Sequence, residues 1–149
     1  MTAMNITAIN DKAIPFLSKE YYESAFVNNF IVKQRRKRVL FELSSKKKRG
    51  HILHKLWSAT DLYITDYMIP FPEIHSNEEI KCFLYKYGAK STCYVMSHEL
   101  SGFDKSIMPI DKGITVAQES CPTILIFSDK MVFLGENEFY KRYLLFRNC

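Results

Sequence analysis

Three short apolar segments near the end of the chain constrain its fold more than any other feature of the sequence. They read PTILIFS (122–128), MVFLGE (131–136) and YKRYLLFR (140–147), with polar turns at 128–130 and 136–138. Strand-like segments joined in series by short polar turns predict an antiparallel meander. The alternating segment STCYVMS (91–97) is the natural fourth strand. Because ILIF (124–127) is apolar without interruption, we expect its strand to be central and covered on one face by helices.

The first half of the chain carries helical patterns instead. A helix over residues 19–31, with Ser18 as its N-cap, is predicted by side chains spaced three and four residues apart. The members of this stripe are Tyr22, Ala25, Phe26, Asn29 and Phe30. A capping box at 76–79 predicts a second helix that runs to Tyr87 and ends at Gly88, and Asp111 is expected to begin a third, short one.

These patterns predict an α+β fold: a mostly helical N-terminal half packed on one face of a C-terminal antiparallel sheet of about four strands. A length of 149 residues fits one globular domain spanning residues 1–149. We expect residues 1–14 to form a loose arm.

Nine of the 21 lysines and arginines lie between Lys33 and Arg49, in the runs KQRRKR (33–38) and KKKR (46–49). Between them, RVLFELS (38–44) alternates apolar and polar residues and predicts a short strand. Two interpretations compete for residues 46–59. Either KKKRG is a hairpin loop before a return strand, or Ser44 or Ser45 caps a helix over roughly these residues. We favour the helix because the apolar residues have helical spacing and a strand would split each adjacent pair across both faces. These residues are Ile52, Leu53, Leu56 and Trp57.

The helical interpretation places Lys46, Lys47, Lys48 and Arg49 in the first turn of a helix, where the helix dipole already concentrates positive charge. Each such cation is unfavourable by about 0.3–1 kcal/mol at low salt. Four in succession indicate either an acidic group bound at that end or a solvated corner where exposure and salt dilute the cost. The sequence is consistent with both interpretations.

Residues that could carry chemistry are few. His51 and His54 form H-x-x-H on the predicted helix, but a zinc site needs at least one further ligand, and none occurs within the next turn. His98 comes directly after a predicted strand, and with Glu99 or Asp104 as orienting carboxylate it could act as a general base. No nucleophile motif and no glycine-rich phosphate loop accompanies it.

The four cysteines lack the close pairing of zinc ligands, and we expect reduced thiols in a cytoplasmic protein. They are Cys82, Cys93, Cys121 and Cys149. No apolar run approaches the roughly 18–20 residues of a membrane span, and the N-terminus lacks the pattern of a secretory signal. We therefore expect no membrane association, no cofactor and no metal.

A net charge of +5 without a catalytic set favours a binding protein. The leading hypothesis is a non-enzymatic protein-binding module, either a stoichiometric inhibitor or a bacterial toxin-immunity-type protein. Its partner would be a protein with an acidic surface, such as a toxin domain, because charge complementarity gives fast and specific association. The alternative is a nucleic-acid-binding protein that uses the same basic segments. A third hypothesis is a small hydrolase or nuclease centred on His98.

The predicted binding residues are the two basic runs and the two helix histidines, and no catalytic residue is assigned. They are Lys33, Arg35, Arg36, Lys37, Arg38, Lys46, Lys47, Lys48, Arg49, His51 and His54.

Overall fold

The structure, a computed structural model, describes residues 19–58, 60–74, 76–98, 101–135 and 141–148. Within them the chain forms five α-helices and six β-strands, which confirms the predicted α+β class. The helices are α1 (Lys19–Phe30), α2 (Arg36–Ser44), α3 (Arg49–Ser58), α4 (Asn77–Lys86) and α5 (Ile110–Glu119). The strands are β1 (Met68–Pro70), β2 (Thr92–Ser97), β3 (Ser106–Pro109), β4 (Thr123–Ser128), β5 (Met131–Leu134) and β6 (Tyr143–Phe146).

The strands form one antiparallel sheet in the order β1-β6-β5-β4-β2-β3. The predicted meander is confirmed as β4-β5-β6, and β2 is the predicted neighbour of this meander. The sheet has six strands rather than about four because β1 and β3 extend its two edges. These strands have three and four residues, which is too short for an alternating pattern to identify them.

Helices cover both faces of the sheet. The N-terminal helices α1, α2 and α3 pack on one face, as predicted, whereas α4 and α5 cover the other face, which the sequence did not predict. Successive residues of β2 point to opposite faces: Tyr94 and Met96 join the core formed with α1, α2 and α3, whereas Cys93 and Val95 join the core formed with α4 and α5. The apolar run 124–127 is fully buried for the same reason, since a strand covered on both sides exposes neither face.

The predicted strand at 38–44 is also wrong, because these residues lie in α2. Val39 and Leu43 are four residues apart and both are buried, as a helix allows. Phe41 would share their face in a strand, but it is 61% exposed, and Glu42 is buried instead. A seven-residue alternation contains the helical i, i+4 pair as well, so it does not distinguish the two structures.

Other helical predictions are confirmed. Residues 19–30 form α1, and the spacing at 52–57 corresponds to α3, whose four apolar residues are all buried. The capping box is present: the Glu79 N–H donates to the Ser76 hydroxyl over 3.1 Å, and that hydroxyl donates to the Glu79 carboxylate over 3.0 Å. The predicted arm at 1–14, the Ser18 cap and the turn at 136–138 lie outside the described residues.

Candidate functional site

The helical pair α2–α3, with the short 3₁₀ helix Lys33–Arg35 before it, presents most of the predicted binding residues to solvent. The exposed ones are Lys33, Arg35, Lys37, Arg38, Lys46, Lys47, Lys48, His51 and His54. Two of the predicted binding residues are not exposed. Arg36 is half-buried, and its Nε–H donates to the Ile31 carbonyl over 2.8 Å. Arg49 is buried.

Charge is distributed unevenly along the chain. Residues 31–58 contain ten of the 21 basic residues and only one of the 16 acidic residues, Glu42. The formal charge of this segment is therefore +9, and the eleven basic and fifteen acidic residues elsewhere leave the rest of the chain at −4. The segment is a strongly polarised region on a protein that is otherwise slightly acidic.

An exposed aromatic ring lies within this region. The ammonium group of Lys48 lies 5.4 Å from the centroid of the Phe41 ring, and Lys37 lies one helical turn before Phe41 on α2. Glu42, the neighbouring acid, points inward, where its Oε2 accepts from Arg38 Nε over 3.0 Å. We define the basic face as Lys37, Phe41, Lys46, Lys47 and Lys48.

The three lysines of the second run precede α3 instead of forming its first turn. Residues 46–48 form a turn, and the Ser45 carbonyl accepts from the N–H of Lys48 over 3.2 Å and of Arg49 over 2.9 Å. The predicted helix over 46–59 is thus shorter, at 49–58. Of the four cations predicted in the first turn of this helix, only Arg49 lies within α3, and the three lysines form the turn that leads into it. The Ser45 Oγ accepts from the Lys48 N–H over 3.3 Å, in agreement with the predicted cap at Ser45.

Arg49 is 8% exposed, and all five of its N–H groups have acceptors. Nη1 and Nη2 donate to the two carboxylate oxygens of Glu23 over 2.9 and 2.7 Å. Nε and Nη2 donate to the two oxygens of Asp104 over 2.8 and 2.9 Å. Nη1 also donates to the Leu43 carbonyl over 3.0 Å. Two bidentate pairs on one guanidinium give strong and directional bonding.

Two further donors complete this buried cluster, which we define as Glu23, Arg49, Tyr94 and Asp104. The Tyr94 hydroxyl donates to Glu23 Oε2 over 2.6 Å, and the Ser97 N–H donates to Asp104 Oδ1 over 3.1 Å. Burial opposes the charge of Arg49, but the hydrogen bonds to Asp104 and Glu23 outweigh it and raise the pKa of the guanidinium. Burial, together with the Glu23 carboxylate, raises the pKa of the Tyr94 phenol. The cluster therefore holds one cation, two anions and a neutral phenol.

A cleft of about 410 Å³ opens beside this cluster, between the turn at 45–48 and the loop that leads into β3. Lys46, Arg49 and Gly50 line it from the turn and from α3, and Asp104 and Lys105 line it from the loop. Lys105 adopts a left-handed backbone conformation with φ of 65°, which is uncommon for a residue with a side chain. Its N–H donates to the Val95 carbonyl over 2.7 Å, which attaches the loop to β2.

The two histidines of α3 show no metal-binding arrangement. Neither His51 nor His54 belongs to a group of three or more His, Cys, Asp or Glu that could hold a metal, and no such group occurs in the described part of the chain. His98 is exposed directly after β2. Both Asp104 oxygens accept hydrogen bonds from Arg49, and Glu99 lies outside the described residues.

The sequence patterns did not indicate the buried cluster or Lys105. One signal was available: Glu23 precedes Phe26 and Val27 by three and four residues, so it is a carboxylate on a buried helical stripe. A buried acid requires a partner. Nothing local identified that partner, because Glu23 and Asp104 are 26 and 55 residues from Arg49.

Comparisons with family models, with curated proteins and with solved structures find no match for this chain. Among the residues that the structure describes, no helix combines the length and the apolar composition that crossing a membrane requires.

Proposed function

We propose that this chain is a non-enzymatic protein-binding module, of the stoichiometric-inhibitor or toxin-immunity type, and that its basic face binds an acidic surface on another protein. The observation that carries the proposal is the exposed Phe41 ring, which has the Lys48 ammonium 5.4 Å from its centroid and Lys37 one helical turn away. An aromatic side chain at the centre of a charged rim is the composition of many protein-binding hot spots. The lysines supply electrostatic steering and specificity.

The burial of Glu42 supports the proposed binding role of the basic face. An acidic side chain beside Phe41 would weaken the positive potential, but Glu42 bonds to Arg38 and lies in the interior. Residues 46–48 form an exposed turn, and the Lys48 ammonium lies 5.4 Å from the centroid of the Phe41 ring, so their charges are available to a partner. A cytoplasmic location is part of the proposal, and the free thiols of Cys82, Cys93 and Cys121 agree with it.

Nucleic-acid binding is the second candidate, since a base could stack on Phe41 while lysines contact phosphates. Proteins that bind single strands through stacking usually offer several aromatic platforms along a groove. Here Phe41 is the one large exposed aromatic residue within the described basic segment 31–58. This favours a protein partner over a nucleic acid.

Affinity capture from the source organism tests the proposal, with the whole chain as bait. We expect one protein to be captured in stoichiometric amount by the native chain and to be lost with the triple variant Lys46→Glu, Lys47→Glu, Lys48→Glu. The matched control reverses three exposed lysines outside the basic segment, Lys86, Lys90 and Lys130, and should retain the partner. Equal capture by both triple variants would overturn the proposal.

The nucleic-acid alternative is tested by fluorescence anisotropy with labelled random oligonucleotides over a range of salt concentrations. A steep log–log dependence of the binding constant on salt, lost in the Lys46–Lys48 variant, would favour nucleic acid. No binding at about 0.15 M salt, where the Debye length is about 8 Å, would eliminate it.

A further inference from the structure

We propose that the cleft beside the buried cluster receives acidic side chains of the partner, with Lys46 on one wall and Lys105 on the other. This inference rests on the proposed function and names a place on the surface where a carboxylate binds. It adds Lys105, which lies outside both basic runs of the sequence, to the binding residues. We call this cavity the basic cleft.

The charges that line the basic cleft are not balanced within it. Its one acidic residue, Asp104, is bonded through both oxygens to Arg49 and through Oδ1 also to the Ser97 N–H. Neither Lys46 nor Lys105 forms a salt bridge with any residue that the structure describes. Two lysines that line a concave site attract an anion more strongly than they would on a flat surface.

The two walls are held together by the same guanidinium. Arg49 donates to the Leu43 carbonyl, at the end of α2 before the turn that carries Lys46, and to Asp104, the residue before Lys105. The backbone of Lys105 is fixed through its N–H bond to Val95. Because both walls are fixed before any partner arrives, less conformational entropy is lost on binding.

A carboxylate suits this cleft better than a phosphate. The buried cluster behind the floor contains two carboxylates and one guanidinium, which gives it a formal charge of −1. Lys46 and Lys105 bring the net formal charge of the site to +1, which a single carboxylate neutralises, whereas a doubly charged phosphate leaves a negative charge uncompensated. A volume of about 410 Å³ lies within the range of small-ligand sites, and it accommodates a short acidic peptide segment.

The test measures the affinity of a fluorescein-labelled hexaglutamate peptide by anisotropy, at low ionic strength and at about 0.15 M salt. The informative variant is Lys105→Gly: it removes the charge, and glycine tolerates the left-handed conformation of this position, so the fold should be retained. Lys46→Gln removes the charge from the opposite wall. Lys86→Gln, on α4 across the sheet, is the control.

We expect the native chain to bind the peptide one to one, and each cleft variant to weaken binding roughly fivefold to tenfold, as the loss of a specific charge contact does. The Lys86→Gln control should remain within about twofold, since distant surface charges are screened. Affinity unchanged in both Lys105→Gly and Lys46→Gln would overturn the assignment, and so would the absence of peptide binding by the native chain.

The failure of this inference can be told apart from the failure of the proposed function. If partner capture depends on the basic face while hexaglutamate binding ignores Lys105, the cleft assignment is wrong and the proposed function stands. If hexaglutamate binds through Lys105 but no protein partner is captured, the cleft binds carboxylates and the proposed function fails. If Lys105→Gly weakens oligonucleotide binding but not peptide binding, phosphate replaces carboxylate as the ligand and the assignment is overturned.

Discussion

The two basic runs of this chain are similar in sequence and have different environments in the structure. In KQRRKR (33–38) every basic side chain is exposed except Arg36, which is half-buried. In KKKR (46–49) three exposed lysines precede a buried arginine with five hydrogen bonds. A run of like charges therefore does not describe one kind of surface. An arginine at the end of such a run can be buried, because its planar guanidinium bonds two carboxylates bidentately at once. A lysine ammonium has only three N–H groups and cannot make both bidentate contacts.

This difference predicts that the two ends of the second run respond very differently to the same substitution. Arg49→Met leaves the buried Glu23 and the half-buried Asp104 without a counter-charge, and we expect it to lower the free energy of unfolding by about 3–5 kcal/mol. Lys47→Met, on the exposed turn, should change it by no more than about 0.5 kcal/mol. Urea denaturation of both variants measures the contrast.

Similar stabilities of the Arg49→Met and Lys47→Met variants would contradict the conclusion that the two ends of the second run have different roles. Arg49→Lys tests whether the geometry of the guanidinium matters in addition to its charge. This variant keeps the positive charge but leaves carboxylate oxygens without donors, so it should still cost about 1–3 kcal/mol.

Within the buried cluster, the Tyr94 hydroxyl donates a hydrogen bond to the Glu23 carboxylate. Tyr94→Phe removes that bond and should cost about 1–2 kcal/mol at neutral pH. The pKa of the native phenol is raised above its usual value of 10.0 by burial and by Glu23. A folded-state pKa above the unfolded value contributes stability that is fully present below pH 10 and is lost as the pH rises further.

Stability measured against pH checks this. The native chain should lose stability more steeply above pH 10 than the Tyr94→Phe variant does, because the variant has no phenol to ionise at that position. Parallel curves for the two proteins would show that Tyr94 does not contribute to the alkaline loss.

The secondary structure could be predicted from the sequence where a pattern is long or chemically distinct. The capping box at Ser76 and the helical spacing at 52–57 both involve near neighbours whose geometry a helix sets by itself. The meander strands could be predicted because an uninterrupted apolar run between polar turns has few alternatives. The prediction failed at 38–44, where Val39 and Leu43 fit both the two-residue period of a strand and the i, i+4 spacing of a helix. Only their burial in the tertiary structure distinguishes the helix from the strand.

The candidate site was predictable only in part. The exposed lysines were visible as a charge run, but the exposure of Phe41 depends on α2 being a helix. The buried role of Arg49 depends on Glu23 and Asp104, which are distant in sequence, so no local pattern distinguished Arg49 from Lys46–Lys48. Lys105 stands outside the basic runs and joins the cleft through tertiary structure alone.

The third prediction tests whether the first basic run is uniform. Arg36 is half-buried and donates to the Ile31 carbonyl, so Arg36→Met should cost about 1 kcal/mol, as a charge-assisted hydrogen bond at a partly exposed position does. Lys37→Met, one residue later and exposed, should stay within about 0.5 kcal/mol. Thermal unfolding of the two variants measures this difference. Equal stabilities would mean that the hydrogen bond from Arg36 to the Ile31 carbonyl does not stabilise the fold.

The smallest expected effect on stability is at Phe41. Phe41→Ser removes an exposed ring and its contact with Lys48, and the two residues have similar helix propensities. The free energy of unfolding should therefore fall by no more than about 0.5 kcal/mol. Capture of the partner should nevertheless be lost. A Phe41→Ser variant that is stable and still captures the partner would remove Phe41 from the binding surface.

The buried cluster also has a consequence for how this protein changes in evolution. Because Arg49 compensates Glu23 and Asp104 together, replacing Arg49 leaves two carboxylates without a counter-charge. Replacing either acid leaves guanidinium N–H groups without their acceptors. Among relatives of this chain, we expect positions 23, 49 and 104 to be retained or exchanged as a set, for example for three apolar residues of similar volume. Positions 46–48 carry no such restriction, and under the proposed function they can diverge as rapidly as the partner's surface does.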